Sequence, residues 1–306
     1  MALPVPQHIK NISAYHQAMG LPRPLHPMVS VISFDENRKN YMPKTASMAF
    51  DFYCIALKRD FKGKIKYGQQ GYDFDEGIMT FMAPGQVLRI EVNNDEPVNH
   101  SGWLLLFHPE FLLNSKLAQP IRSYEYFGYA VHEALFLSEN EENIVNGIMQ
   151  GIQHEYRQNI DAFSQNIIIS QLELLLSYAE RFYNRQFITR KPANHQLLER
   201  LEKTLHTYFE NEALIADGLP TVQYIADALH LSPNYLSNML KTLTGRTTQQ
   251  HIHDRLIEKA KEKLAATGLS VSEIAYGLGF EHPQSFTKLF KIKTSMSPVA
   301  FRQSLN

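Results

Sequence analysis

Cysteine is nearly absent from this sequence: Cys54 is the only one in 306 residues. No disulfide can therefore form within the chain, which is typical of proteins in a reducing compartment. Long apolar runs are missing too, and the stretch Trp103–Phe107 is far shorter than the roughly 20 residues of a membrane-spanning helix. The first 27 residues are polar and dotted with prolines, so no signal peptide is predicted and we expect a cytoplasmic protein.

Residue patterns for catalysis are also missing. The sequence contains no Ser/His/Asp arrangement and no glycine-rich phosphate-binding motif, and its 13 histidines are scattered. His251 and His253 form an H-x-H pair, but two residues at this spacing in a predicted helix point in nearly opposite directions and cannot share a metal ion. We therefore expect no enzyme, no cofactor and no metal site.

Charge is distributed unevenly, although the net charge is only −1. Residues 221–306 contain 10 Lys and Arg against 6 Asp and Glu, whereas residues 1–220 contain 20 against 25. This excess favours an anionic partner for the C-terminal third, but many solvated surfaces carry as much positive charge. Charge alone does not identify the partner.

The N-terminal part has the pattern of short strands. Segments rich in Val, Ile, Phe and Tyr are separated by Gly and Asp, which is typical of a compact β-sandwich or barrel. The predicted strand segments are 28–34, 50–58, 63–68, 77–92 and 102–109.

The pattern changes to helical spacing between Asn140 and Phe187, where a helix over 161–187 is predicted. Its apolar stripe consists of Ile168, Leu172, Leu175, Leu176, Ala179, Phe182 and Tyr183. The stripe either packs on the β-rich part or forms a homodimer interface. Residues 188–196 contain Pro192 and no pattern, which predicts a linker before a wholly helical C-terminal part.

One short segment occurs twice in the C-terminal part: residues 232–241 read SPNYLSNMLK and residues 282–291 read HPQSFTKLFK. A capped helix precedes each copy, with Thr221 as the first predicted N-cap and Ser270 with Glu273 as an S-x-x-E capping box. A turn follows, and then a proline at the first position of the next helix, so two helix-turn-helix units are predicted. The second helix of such a unit lies in the DNA major groove, where Asn, Gln, Ser and Thr can bond to base edges.

The segment between the copies predicts one long helix over 247–266. The 19 residues from Thr248 to Ala266 span about 28 Å at 1.5 Å per residue. One turn of B-DNA is roughly 34–36 Å. A rigid connecting helix would therefore place two recognition helices near one turn apart on the same DNA face, without a second subunit.

On these residues the C-terminal third resembles the DNA-binding domain of the AraC/XylS family of bacterial transcription regulators. The motif is SVSEIAYGLGFEHPQSFTKLFKIKTSMSPVAFR over 270–302, through Glu273, Ile274, Ala275, Gly279, Phe280, Phe286, Phe290, Lys291, Ser297, Pro298 and Arg302. Ser295 and Met296 depart from the Gly and aliphatic residue of the family, and Pro283 removes one side chain from the start of the second recognition helix. The resemblance implies double-stranded DNA and RNA polymerase as partners.

The resemblance also implies the DNA-contacting positions. Base-reading positions of the first unit fall on Asn234, Ser237 and Asn238, and those of the second on His282, Gln284, Ser285, Thr287 and Lys288. Lys241, Lys291, Thr248 and the N-terminus of the connecting helix suit phosphate contacts.

The β-rich part resembles the cupin-like sensor domain of many regulators in this family, through the stretch from Gly77 to Pro84-Gly85. A metal-binding cupin has His three residues after Gly85, where this sequence has Leu88. A barrel without metal ligands is expected to hold a small-molecule effector, although core packing is the alternative role for most of its aromatic residues. The candidate pocket residues are Tyr53, Tyr67, Tyr72, Phe74, Phe81 and Trp103.

The expected fold class is α+β. Residues 1–187 are predicted to form a cupin-like β-barrel with trailing helices that senses an effector and dimerises, and 188–196 a linker. Residues 197–306 are predicted to form an all-α domain of two helix-turn-helix units joined by a long helix. The other hypothesis is a constitutive DNA-binding regulator whose N-terminal domain only dimerises.

Overall fold

The structure is a computed structural model that describes residues 6–36, 45–59, 77–91, 101–130, 133–158, 162–189, 191–211 and 218–305. The chain divides into two units, Met1–Gln186 and Phe187–Asn306. In the described residues the first unit combines strands with helices and the second is helical, which confirms the mixed fold class. The predicted strand segment 63–68 lies outside the described residues.

The strands of the first unit form two sheets. The smaller sheet has the order β1-β3-β6, in which β1 is parallel to β3 and β6 is antiparallel to it; these are Gln7–Ile9, Thr45–Phe50 and Val87–Glu91. The larger sheet is antiparallel in the order β2-β7-β4-β5-β8; these are Val29–Ser33, Ser101–Phe107, Tyr53–Arg59, Ile78–Met82 and Leu135–Phe136. Within the described ranges no strand pair joins the two sheets, so a closed cupin-like barrel stays a prediction.

Two predicted strand segments are each divided by a turn. Segment 77–92 contains β5 and β6, separated by a turn at Gly85, whose φ of 85° lies in the left-handed region that glycine adopts without strain. Segment 50–58 joins the end of β3 to β4. The apolar pattern continues through this second turn because Phe52 is fully buried, so the sequence does not reveal the break.

Strands β4 and β7 are buried on both faces. One face, with Cys54 and Leu106, packs against the smaller sheet and helix α1 (Ile12–Ala18) in a single apolar cluster. Helix α1 was not predicted from the sequence. Its N-cap Asn11, whose side chain accepts a hydrogen bond from the Ala14 amide at 2.8 Å, is the local signal that could have found it.

Two long helices complete the first unit, α2 (Glu139–Arg157) and α3 (Ala162–Thr189). The predicted apolar stripe of α3 is buried throughout, with no member more than 3% exposed. The Tyr126 hydroxyl donates to the Leu176 carbonyl at 3.0 Å, and the Tyr126 and Tyr183 rings stack with centroids 5.6 Å apart. The stripe therefore packs on the unit's own core, and its prediction as a dimer interface is wrong.

The second unit contains seven described helices: α4 Lys191–Glu210, α5 Val222–Leu229, α6 Pro233–Thr244, α7 Thr248–Ala266, α8 Val271–Tyr276, α9 Pro283–Thr294 and α10 Pro298–Gln303. The predicted irregular linker at 188–196 is wrong in its conformation, because α3 continues to Thr189 and α4 begins at Lys191. Pro192 is the second residue of α4, where a missing N–H breaks no intrahelical hydrogen bond.

Helix α7 is the predicted connecting helix and forms the centre of the second unit's core. Its residues Leu256, Ala260 and Leu264 pack with Tyr208 of α4 and Phe286 of α9. No helix in the described part of the chain is long and apolar enough to cross a membrane.

Candidate nucleic-acid interface

The two helix-turn-helix units, α5–α6 and α8–α9, are built by the same local interactions. Thr221 caps α5 by accepting the Tyr224 amide at 3.0 Å, and Ser270 caps α8 in a capping box, as predicted. The turn after each first helix contains a left-handed residue, His230 with φ 59° and Gly279 with φ 87°. Both units thus have a side-chain N-cap on the first helix and a left-handed residue in the turn.

The duplication extends beyond the second helix of each unit. Gly245 ends α6 and Ser295 ends α9, both in the left-handed conformation with φ of 75° and 61°. The next helices then begin with equivalent N-caps, Thr247 and Ser297. Ser295 thus adopts a backbone conformation that glycine adopts without strain.

Helix α6 presents two of its four predicted contact residues openly. Asn234 and Lys241 are exposed, whereas Ser237 and Asn238 are half-buried. The Ser237 hydroxyl lies 3.0 Å from that of Thr248, and Asn238 also has a partner within the structure. Thr248 is fully buried, so its prediction as a phosphate contact is wrong for the side chain.

Helix α9 presents more of its predicted contact residues. Phe286 and Phe290 face the core. The exposed residues of the predicted set are His282, Gln284, Ser285, Lys288 and Lys291. Thr287 is half-buried, and its hydroxyl donates to the Pro283 carbonyl at 3.0 Å. In the part of the chain described, the His282 side chain makes no capping hydrogen bond, whereas the equivalent Ser232 accepts one from the Tyr235 amide at 3.3 Å.

Several basic residues of the second unit are held in internal ion pairs. Asp254 of α7 binds Arg246 at 2.9 Å and Lys293 at 2.8 Å, and so ties α7 to the loop after α6 and to α9. Lys259 of α7 binds Glu210 of α4 at 2.5 Å, and this hydrogen bond raises the pKa of Lys259. The exposed lysines of the two recognition helices are Lys241, Lys288, Lys291 and Lys293, of which Lys293 is held by Asp254.

Arg302 has a structural role. Its Nε donates to the Leu264 carbonyl at 3.1 Å and its Nη2 to the Leu269 carbonyl at 2.7 Å. These bonds tie α10 to the end of α7 and to the loop before α8. They explain why the motif ends in arginine, whose forked guanidinium can reach two carbonyls at once.

The H-x-H pair on α7 makes local hydrogen bonds. The ring Nε2 of His251 lies 2.9 Å from the Thr244 hydroxyl, and that of His253 lies 2.8 Å from the Gln249 amide nitrogen. Burial lowers the pKa of both histidines. The described ranges contain no group of three or more His, Cys, Asp or Glu that could hold a metal ion.

The predicted effector pocket is only partly described, because Tyr67, Tyr72 and Phe74 lie outside the described residues. Tyr53 stacks on Phe107 with ring centroids 5.0 Å apart, and the Phe81 ring lies 4.7 Å from that of Tyr126. Both are buried, so they pack the core, the alternative that the sequence left open. Trp103 instead borders an open cleft beside α2.

A family model described as "Helix-turn-helix domain" matches residues 225–304. The chain is 30% identical over 115 residues to the HTH-type transcriptional regulator YobQ of Bacillus subtilis, which covers 36% of this chain and 48% of YobQ. It is 33% identical over 110 residues to the HTH-type transcriptional activator RhaS of an Enterobacter species, covering 36% of this chain and 37% of RhaS. The chain thus spans less than half the length of either relative.

Among solved structures, one similar chain is the C-terminal domain of the two-component response regulator yesN from Fusobacterium nucleatum. It is 29% identical, with coverage of 34% of this chain and 95% of that domain, and the TM-score is 0.30.

Proposed function

We propose that this chain is a sequence-specific DNA-binding transcription regulator of the AraC/XylS type, because a helix-turn-helix family model matches residues 225–304. The observation that carries the proposal is the pair of equivalent units whose second helices, α6 and α9, present exposed polar and basic side chains. The names of YobQ and RhaS, both transcriptional regulators, support it.

In this proposal α6 and α9 enter neighbouring turns of the major groove. Asn234, Gln284 and Lys288 contact base edges, because amides pair with adenine and lysine with guanine. Lys241 and Lys291, near the C-terminal ends of their helices, contact phosphates. Thr287 and Ser237 are less suited to base contacts, since each hydroxyl already has a partner in the protein.

The length of α7 supports two contacts on one DNA face. At 19 residues it spans about 28 Å, near the roughly 34–36 Å of one B-DNA turn. The ion pairs of Asp254 fix this helix to the loop after α6 and to α9. We therefore propose that one chain reads two half-sites about one turn apart.

Selection of the full chain on a randomised duplex library tests the proposal. We expect a motif with two half-sites about 10 base pairs apart, and we expect Lys288→Ala to weaken binding to it. Lys203→Ala, which removes an exposed lysine of α4, is the matched control and should bind as the parent does. Enrichment of no motif would reject the proposal.

We also propose that the N-terminal unit controls DNA binding through a small-molecule effector, on a cupin-like scaffold. Leu88, which stands where a metal-binding cupin has His, packs against the apolar cluster between the sheets and offers no metal ligand. This favours a sensor over a metal-dependent cupin enzyme. The alternative is constitutive binding with an N-terminal unit that only dimerises. DNA affinity that depends on an added small molecule distinguishes the two.

Dimerisation is proposed through the side of α3 opposite its buried stripe. Phe163, Ile167 and Leu174 lie on that side and are 78%, 42% and 48% exposed. Charging it with Phe163→Glu and Leu174→Glu should give a folded monomer by sedimentation, whereas His154→Glu on the exposed surface of α2 should not. An unchanged oligomeric state in the double variant would reject this surface.

A further inference from the structure

We propose that the first unit binds a neutral, polyhydroxylated small molecule in a cleft between strand β7 and helix α2. The cleft has a volume of about 370 Å³, within the usual range for small-molecule sites. This inference rests on the proposed function only for its consequence, namely that the bound molecule acts as the effector. The site itself follows from the side chains that line the cleft.

The space between the two sheets is filled by the protein itself. Phe50 and Phe52 are at most 2% exposed there, with ring centroids 5.2 Å apart, and Tyr15 packs edge-on against both. Burial raises the pKa of Tyr15 far above its usual range. In the described residues this cluster fills the space between the two sheets, so the open cleft beside α2 is the better candidate.

Helix α2 lines the cleft with three amide side chains. Asn143, Asn146 and Gln150 are three and seven positions apart and therefore lie on one side of the helix. An amide offers donors and an acceptor, and a hydroxyl group offers one donor and two acceptor lone pairs. A ligand with several hydroxyl groups can satisfy such a wall. Trp103 of β7 also lines the cleft, and it is 9% exposed, so it offers a ligand a small apolar contact.

The polar frame of the cleft is held in place by internal bonds. The Trp103 indole N–H donates to Asn146 Oδ1 at 3.0 Å, which turns the Asn146 amide nitrogen towards Glu142, 3.5 Å away. Glu142 is buried and forms an ion pair with Arg59. Gly77 permits this, because a Cβ there would lie 2.8 Å from the Glu142 carboxylate. A site fixed before the ligand arrives loses less entropy on binding.

The charges around the cleft favour a neutral ligand. Arg59 is the only cation among the described lining residues, and Glu142 already neutralises it. The Asp35 carboxylate accepts the Gly102 amide at 3.3 Å and suits a hydroxyl donor as a further partner. An anionic molecule would face Asp35 without an unpaired cation to bind it.

Tryptophan fluorescence of the full chain gives a direct test, because Trp103 is the only tryptophan. The chain is titrated with neutral monosaccharides and polyols, and separately with sugar phosphates, dicarboxylates and diamines. We expect a saturable emission change with at least one neutral compound and none with the charged ones. No saturable change from any neutral compound up to ~10 mM, a limit far weaker than ordinary specific binding, overturns the proposal. So does saturation by charged compounds alone.

Filling the cleft supplies the second arm of the test. Gly147 lines the cleft, and a Cβ there would meet no atom within 4 Å, so Gly147→Leu should fold and block the site. We expect at least ~10-fold weaker binding at an unchanged or higher melting temperature, since glycine is unfavourable within a helix. Gly268→Leu, the same change at an open position of the second unit, should bind as the parent does. Equal affinity in Gly147→Leu and the parent overturns the proposal.

The failure of this site and the failure of the proposed function give different results. Binding to the selected DNA motif is measured on the same preparation. Fluorescence saturation without specific DNA binding retains the cleft and rejects the regulator, and the opposite result rejects only the cleft. Saturation that leaves DNA affinity unchanged retains the site and removes its role as the effector site.

Discussion

The two helix-turn-helix units share a backbone but differ in the surface of their second helices. In α6 the reading positions hold Asn234 and the half-buried Ser237 and Asn238, whereas the equivalents in α9 are Gln284, Thr287 and the exposed Lys288. The position after Asn234 and Gln284 differs most in side-chain exposure. Tyr235 of α6 is buried at 8% exposed, and the equivalent position of α9 is Ser285, which is exposed.

The duplicated unit keeps its N-caps and left-handed turns, whereas the exposed residues of its second helix differ. The caps, the left-handed turns and the buried alanines decide the fold, because they act through the backbone and the packing of the two helices. We propose that the outer face decides DNA recognition. Because α9 exposes more polar and basic side chains, we expect the second unit to contribute the larger share of DNA affinity.

The largest effect on stability should come from replacing the buried alanine that both units share. Ala226 and Ala275 are fully buried, and a leucine at either position would overpack the core. We expect Ala226→Leu and Ala275→Leu each to lower the free energy of unfolding by about 2–3 kcal/mol, measured by chemical denaturation. Ala228→Leu, on the exposed side of α5, is the control and should change it little. A loss of stability in only one of the two variants would show that the helices of the two units pack differently.

A smaller effect, on DNA affinity, should distinguish the exposed face of α6 from that of α9. Gln284→Ala should cost about 1–2 kcal/mol on the selected site and relax the preference at one or two base pairs. Asn238→Ala should cost less, because Asn238 is half-buried and already has a partner in the protein. Binding of both variants to the randomised library measures this. A larger loss for Asn238→Ala would reverse the ranking of the two units.

The charges of the recognition helices should show as salt dependence, because each lysine in the groove or at the backbone neutralises phosphate charge and displaces counterions. Lys288→Ala combined with Lys291→Ala should lower the slope of log affinity against log salt by about two, and Lys241→Ala by about one. Lys203→Ala, which removes an exposed lysine of α4, should leave the slope unchanged. An equal change of slope in the α6 and α9 variants would contradict the expectation that α9 brings more positive charge to the DNA than α6.

The smallest effect concerns the ends of the recognition helices. Ser295 has a left-handed backbone with φ of 61°, which strains any residue with a Cβ, whereas the equivalent Gly245 does not suffer this strain. We expect Ser295→Gly to raise the free energy of unfolding by about 0.5–1 kcal/mol and Gly245→Ser to lower it by a similar amount. Thermal denaturation of both variants measures this, and shifts of the same sign would refute the equivalence.

Local signals explain how much of the second unit could be predicted. Thr221, Ser270 and the prolines that begin α6 and α9 act through neighbouring residues, so the sequence shows them directly. The burial of Thr248 could not be predicted, because the side of a helix start that faces the core depends on the packing of α7 against α6.

Tertiary packing explains the errors in the first unit. The apolar stripe of α3 has the same sequence pattern whether it faces its own core or a second copy. Its contact with Tyr126, which is distant in the sequence, decides between the two. Tyr53 and Phe81 are aromatic like pocket residues. Strand register shows that Tyr53 packs with Phe107, and only the tertiary fold shows that Phe81 packs with Tyr126. Pro192 predicted a break, but in a first helical turn it is compatible with a helix.

Hydroxyl-radical footprinting of the full chain on its selected site tests the central claim most directly, namely that one chain reads two half-sites with α6 and α9. We expect two protected patches about 10 base pairs apart on one face of the duplex. Protection of the α9 patch should be lost first in Gln284→Ala combined with Lys288→Ala. A single protected patch, or protection that is the same on unrelated DNA, would contradict the account.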